Sequence, residues 1–85
     1  MNRFNGAVFR GELDIAEETF YLTQVKSLST QSTLSEKQLV QLSRYLEKQS
    51  DTCTITVNDQ LPILLKEDEI EMLQQEISRI LSSFQ

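Results

Sequence analysis

Asp14-Ile15-Ala16-Glu17-Glu18-Thr19-Phe20-Tyr21-Leu22-Thr23-Gln24-Val25 is the stretch on which the fold turns. Asp14-Ile15-Ala16-Glu17 has the form of a capping box, an oxygen-bearing side chain followed three residues later by a glutamate. If 15–28 is helical, Ile15, Tyr21, Leu22, Val25 and Leu28 share one broad side. Against that, Thr19 to Val25 is rich in β-formers, and residues 7–15 and 19–26 would then pair as a hairpin. Ala16-Glu17-Glu18 is a poor turn for such a hairpin, with neither Gly nor Asn to take a positive φ. The balance favours the helix, and the element order is then β-α-α-β-β-α. The hairpin alternative gives ββαββα, two similar halves.

Upstream, Ala7-Val8-Phe9-Arg10-Gly11-Glu12-Leu13 alternates weakly, with Phe9, Gly11 and Leu13 on one face, and serves as an N-terminal strand. Downstream, Ser27 to Ser32 is Ser, Thr and Gln with few apolar residues, and reads as the one loop of any length. Thr33-Leu34-Ser35-Glu36 then matches a capping box, and Leu34, Leu39, Leu42, Tyr45 and Leu46 share a face, so a helix is expected over about 34–49. Its outer face carries Glu36, Lys37, Gln41, Arg44 and Lys48, with no field of one sign.

Thr52-Cys53-Thr54-Ile55-Thr56-Val57 alternates threonine with apolar side chains, the period of a strand with Cys53, Ile55 and Val57 facing inward. Asn58-Asp59-Gln60 supplies turn residues, and Leu61 to Leu65 is a second apolar run, so 52–65 reads as a hairpin. Pro62 has no N–H for a ladder bond, which puts the second strand at a sheet edge or puts Pro62 at its start. Ile70, Leu73, Ile77, Ile80, Leu81 and Phe84 then fall within about 100° of one another at helical spacing, a stripe on a helix over 67–84. The expected fold is α+β: one small two-layer domain, 1–85, with a short antiparallel sheet packed against two or three amphipathic helices.

With 85 residues, 8 Lys+Arg against 13 Asp+Glu and a net charge of −5, a single core is the most this chain builds. No window holds the roughly 18 apolar residues of a spanning helix, and the start lacks an apolar stretch of signal-peptide type. One cysteine makes no internal disulfide, and a reducing, cytoplasmic setting is expected. The acidic balance opposes a phosphate backbone, so direct nucleic-acid binding is not expected. Residues 51–85 carry 2 basic and 7 acidic side chains, concentrating the charge in the last third.

There is no histidine, the commonest zinc ligand and the usual base near neutral pH. Cys53, on the inward face of its strand, reads as a core residue rather than a nucleophile. Gly6 and Gly11 compose no phosphate loop, and no Gly-Lys-Ser/Thr follows them. Glu67, Asp68, Glu69 and Glu71 form an acidic patch, but without the spacing or the glycine of a calcium loop. Its simplest reading is helix-start chemistry at the positive end of the dipole. No cofactor, metal or catalytic residue is expected.

What remains is surface. Ile70, Leu73, Ile77, Ile80 and Phe84 step by 3, 4, 3 and 4, the spacing of a two-helix seam; the stripe either packs on the domain's own sheet or stands as the candidate interface of a homodimer. The edge of strand 52–57 is the second candidate, since an open edge can pair across a two-fold axis. The expected function is a noncatalytic protein–protein interaction or regulatory module without membrane association. The alternative is a small acidic inhibitor of a basic partner, of the phage- or plasmid-antagonist or nucleic-acid-mimic type.

Overall fold

The computed structural model describes residues 2–56 and 62–85. Four strands, β1 (Asn2–Asn5), β2 (Phe9–Asp14), β3 (Thr19–Val25) and β4 (Leu28–Ser35), form an antiparallel meander in the order β1-β2-β3-β4. Helix α1 (Glu36–Glu47) follows, then a two-stranded hairpin of β5 (Cys53–Ile55) and β6 (Ile63–Leu65), then helix α2 (Glu67–Ser83). The chain is a small α+β domain. Val57 and the expected turn at Asn58-Asp59-Gln60 lie outside the described residues.

The expected helix over 15–28 is instead the strand β3, and the order is ββββαββα. Phe20, Leu22 and Val25 are all fully buried, a period-two pattern carried across one bulge, and the ladder runs Asp14↔Thr19 to Phe9↔Val25. A helix would have spread the same side chains over a broad face that nothing here covers. The turn that composition disfavoured is made by other means. Asp14 Oδ1 accepts from Glu17 N at 3.2 Å, Ile15 O accepts from Glu18 N at 3.2 Å, and Thr19 Oγ1 donates to Glu17 O at 3.0 Å. Glu18 itself takes the positive φ of 51°. The capping-like motif was thus real chemistry, but it closes a β-turn rather than a helix start.

The 27–32 segment expected as a loop is mostly strand. Lys26 and Ser27 make a two-residue turn between Val25 and Leu28, with Lys26 at φ 56° where a hairpin turn needs positive φ. Within β4, Ser32 is buried, and its hydroxyl pairs with that of Thr30 at 2.9 Å, which is how a polar residue sits on the inner face. Thr33 pairs with Tyr21, so it is not the cap of α1. Ser35 is: its Oγ accepts from Gln38 N at 3.2 Å while Gln38 Oε1 accepts from Ser35 N at 2.9 Å. The same motif recurs two residues on, and Leu34 wins its place in the strand because it is buried there.

The core gathers one face of the meander with both helices and the inner face of the hairpin: Phe9, Leu13, Phe20 and Leu22 meet Leu39, Leu46, Cys53, Leu65, Leu73 and Ile77. Phe20 lies 5.9 Å from the Phe4 ring, edge to face, and 6.3 Å from Phe9, stacked. Arg79 of α2 sits 5.3 Å over the Phe4 ring, closing the β1 side. Pro62 immediately precedes β6, as its missing N–H requires.

Candidate functional site

The candidate seam is spent inside the chain. Ile70, Leu73, Ile77, Ile80 and Phe84 are all buried in the chain's own core, none more than 8% exposed. α2 lies against β2, β6 and α1, so its apolar stripe is covered by the sheet, the hairpin and the neighbouring helix. The heptad spacing is that of any helix packed along one line.

The acidic patch is not brought together as a site either. Glu67, Asp68 and Glu71 stay exposed, while Glu69 turns inward. Glu69 Oε1 accepts from Lys66 N at 2.9 Å, the return half of a capping box whose other half a lysine cannot supply. The same carboxylate pairs with Lys26 Nζ at 3.0 Å, and Lys26 Nζ also donates to Leu64 O at 3.2 Å. The Lys66 amide first, and the Lys26 ammonium with it, hold the Glu69 carboxyl below the usual carboxylate range. This is helix-start chemistry.

One acidic residue of consequence went unread. Glu76 is only 3% exposed, and its two oxygens accept from Ala7 N at 2.7 Å, Val8 N at 3.2 Å and Phe9 N at 2.9 Å. A carboxylate from α2 thereby fills the donor-lined loop between β1 and β2. Gly6 makes room for it, since a Cβ there would collide with the Glu76 carboxylate. The signal was faint: at 100° per residue Glu76 lies about 40° beyond Ile80, on the rim of the apolar stripe. With both oxygens committed to backbone donors, the group has a structural job. Cys53 is buried, and desolvation pushes its thiol up, away from the reactive thiolate.

Among the described residues β1 and β4 each have an outer edge without a partner strand, and a further open edge lies beside the hairpin. β5 bonds only to β6, so its other edge has no partner strand among the described residues. Along that edge runs a groove of about 330 Å³ lined by Leu42 and Tyr45 of α1 and by Thr54, Ile55 and Thr56. α1 does not pack along β5; it reaches the edge through the Tyr45 hydroxyl, which donates to Thr54 O at 3.2 Å. Tyr45 remains 42% exposed, an aromatic ring forming one wall of an open channel. Such a channel offers backbone hydrogen-bonding groups on one side and apolar surface on the other.

Among the described residues no helix is long and apolar enough to cross a membrane, and no group of three or more Asp, Glu or Cys side chains gathers as a metal cage. In comparisons with known proteins, no family model, no curated protein and no solved structure matches this chain.

Proposed function

We propose that this chain is a noncatalytic protein-binding module that works through the groove between α1 and the open edge of β5. The observation that carries the reading is that edge: the open side of a paired strand, beside a half-exposed tyrosine and Leu42, where an extended segment finds backbone partners and an apolar wall together. The intended partner is a protein, not nucleic acid, and the setting is the reducing cytoplasm, which a buried, unpaired Cys53 suits. Self-association into a dimer belongs to this reading, relocated from α2 to β5. A second reading, an acidic inhibitor of a basic protein, rests on the exposed Glu67, Asp68 and Glu71 at the start of α2.

The two readings separate in a pull-down from the source cell with the tagged chain. A partner held by the groove stays bound at about 0.5 M salt, where screening leaves charges only about 4–5 Å of reach. It is lost with Tyr45→Ala and kept when Glu67, Asp68 and Glu71 are replaced by Gln or Asn. Loss of a nucleic-acid-binding partner at that salt and with the acidic replacements, Tyr45→Ala having no effect, overturns the groove in favour of the inhibitor. Turnover of a small substrate that the acidic replacements abolish without weakening its binding overturns both.

A further inference from the structure

We infer that the β5 edge is filled by a second copy of this chain, the two β5 strands pairing antiparallel about Thr54. The inference rests on the protein-binding reading of the groove and names its occupant. The argument begins with direction. Thr54 O points to the Tyr45 hydroxyl, away from β6, and in an antiparallel ladder a residue's N–H and C=O point the same way, so both backbone groups of Thr54 face the open edge. Among the described residues only the Tyr45 side chain stands over that edge: residues 52–56 hold no charge and no proline, and no bulge breaks the pairing of Cys53–Ile55 with β6. Pro62 lies on the other strand of the hairpin.

The segment is also complementary to itself. Centred on Thr54, an antiparallel pair sets Thr52 against the partner's Thr56 and Thr54 against the partner's Thr54, threonine facing threonine along the exposed side. Cys53 falls against the partner's Ile55 on the buried side. Threonine–threonine and β-branched cross-strand pairs are favourable ones. Two hairpins so joined make one four-stranded sheet in the order β6-β5-β5-β6, with Leu42 and Tyr45 of each α1 flanking the new ladder. Within the paired segment itself no like charges meet, since residues 52–56 carry none. The Tyr45 hydroxyl bond to Thr54 O is replaced on pairing by a backbone donor.

Sedimentation equilibrium of the full chain at about 100 µM, where a micromolar dissociation constant leaves mostly dimer, tests the pairing. The wild type is compared with Thr54→Pro, Thr54→Lys and the surface control Glu71→Gln. Thr54 N–H serves no bond to β6, so proline there removes an edge donor while leaving the hairpin ladder intact. The expected result is a mass of two chains for the wild type and Glu71→Gln, and of one chain for both Thr54 variants, with unchanged far-ultraviolet circular dichroism. Should the proline variant fail to fold, the lysine variant decides. A wild type of one-chain mass, or a dimer that Thr54→Lys leaves intact, overturns the inference. If that monomer still holds another protein that Tyr45→Ala releases, the protein-binding reading stands and the pairing alone fails.

Discussion

Replacing Glu76 by alanine tests whether one buried carboxylate organises the amino-terminal loop. Three backbone donors converge on it, and two of them, Val8 and Phe9, belong to residues that are essentially buried. A buried donor left without an acceptor costs about 1–3 kcal/mol. Two such donors give about 2–6 kcal/mol, and water entering the vacated space moves the expected value toward the middle, about 3–4 kcal/mol. Glu76→Gln keeps the volume and one acceptor but turns an NH2 toward donors, so it is expected to cost about 2–3 kcal/mol. In urea unfolding followed by far-ultraviolet circular dichroism, with a slope near 1 kcal/mol/M for a domain this small, the alanine variant loses about 3 M in midpoint. A domain of this size has only about 5–10 kcal/mol in hand, so the variant stands near the edge of folding. Glu71→Gln, on the exposed face of the same helix, shifts stability by no more than about 0.5 kcal/mol. An alanine variant that loses less than about 1 kcal/mol, or one whose Val8 and Phe9 amides keep wild-type hydrogen-exchange protection, refutes the account.

Four further outcomes rest on this and other contacts of the fold. Gly6→Ala destabilises the wild type because its methyl meets the Glu76 carboxylate, and the penalty shrinks in the Glu76→Ala background, a coupling that a double-mutant cycle measures. Ser35→Ala costs about 1 kcal/mol as the true cap of α1, and Thr33→Ala, at an exposed strand position, costs less; thermal melts rank the two. The two shifted glutamates move stability with pH in opposite senses. Glu69, held below the usual range by the Lys66 amide and Lys26, contributes stability above its unfolded value near 4.5 that is lost as pH falls through its folded value, so Lys26→Ala flattens the acid limb of a stability–pH curve. Glu36 is raised by the neighbouring Glu18 carboxyl, which favours its protonated form as a hydrogen-bond partner and then repels its charged form; its contribution is present in acid and lost as pH rises through the folded value, so Glu36→Gln gains stability at pH 7 and gains nothing near pH 3.

The elements legible in the sequence were those whose own period settles them. The alternating threonines of 52–56, the apolar run into β6 and the stripe of α2 each carry a spacing of their own, and strand forms at Cys53–Ile55 and Ile63–Leu65 and helix at Glu67–Ser83. The amino-terminal third was ambiguous because its decisive residues serve two grammars. Asp14 followed by Glu17 suits a helix start and an Asx-type turn alike, since either needs only a side-chain oxygen over a backbone N–H. The turn was misjudged because the expectation of Gly or Asn assumes that no other residue bears positive φ, and here Glu18 and Lys26 both do. β4 was missed because serine and threonine hydroxyls look like loop chemistry until two of them satisfy each other on the inner face of a sheet. Glu76 was invisible for a different reason: its partners are backbone amides some 67 to 69 residues away, which no local pattern encodes.

Glu69 and Glu76 lie seven residues apart on α2, two helical turns along the same rim. The upper one reaches Lys26, whose own N–H donates to Val8 O at 2.8 Å; the lower one takes the amides of Ala7, Val8 and Phe9. Both therefore converge on the 6–9 loop and the turn that packs against it, and the Lys26 bond to Leu64 O draws in the hairpin as well. A helix whose apolar stripe and two inward carboxylates are all engaged in this way has no spare recognition chemistry on its inner side. Its remaining acids, Glu67, Asp68 and Glu71, face water on the helix's first turns, where they favour the dipole and solubility. Beside the groove, the hydrogen-bonding capacity left open is at the other edge of the hairpin, in the backbone of Thr54. A single weak tyrosine bond covers it, and any partner strand that brings a backbone ladder replaces that bond at a net gain in hydrogen bonds.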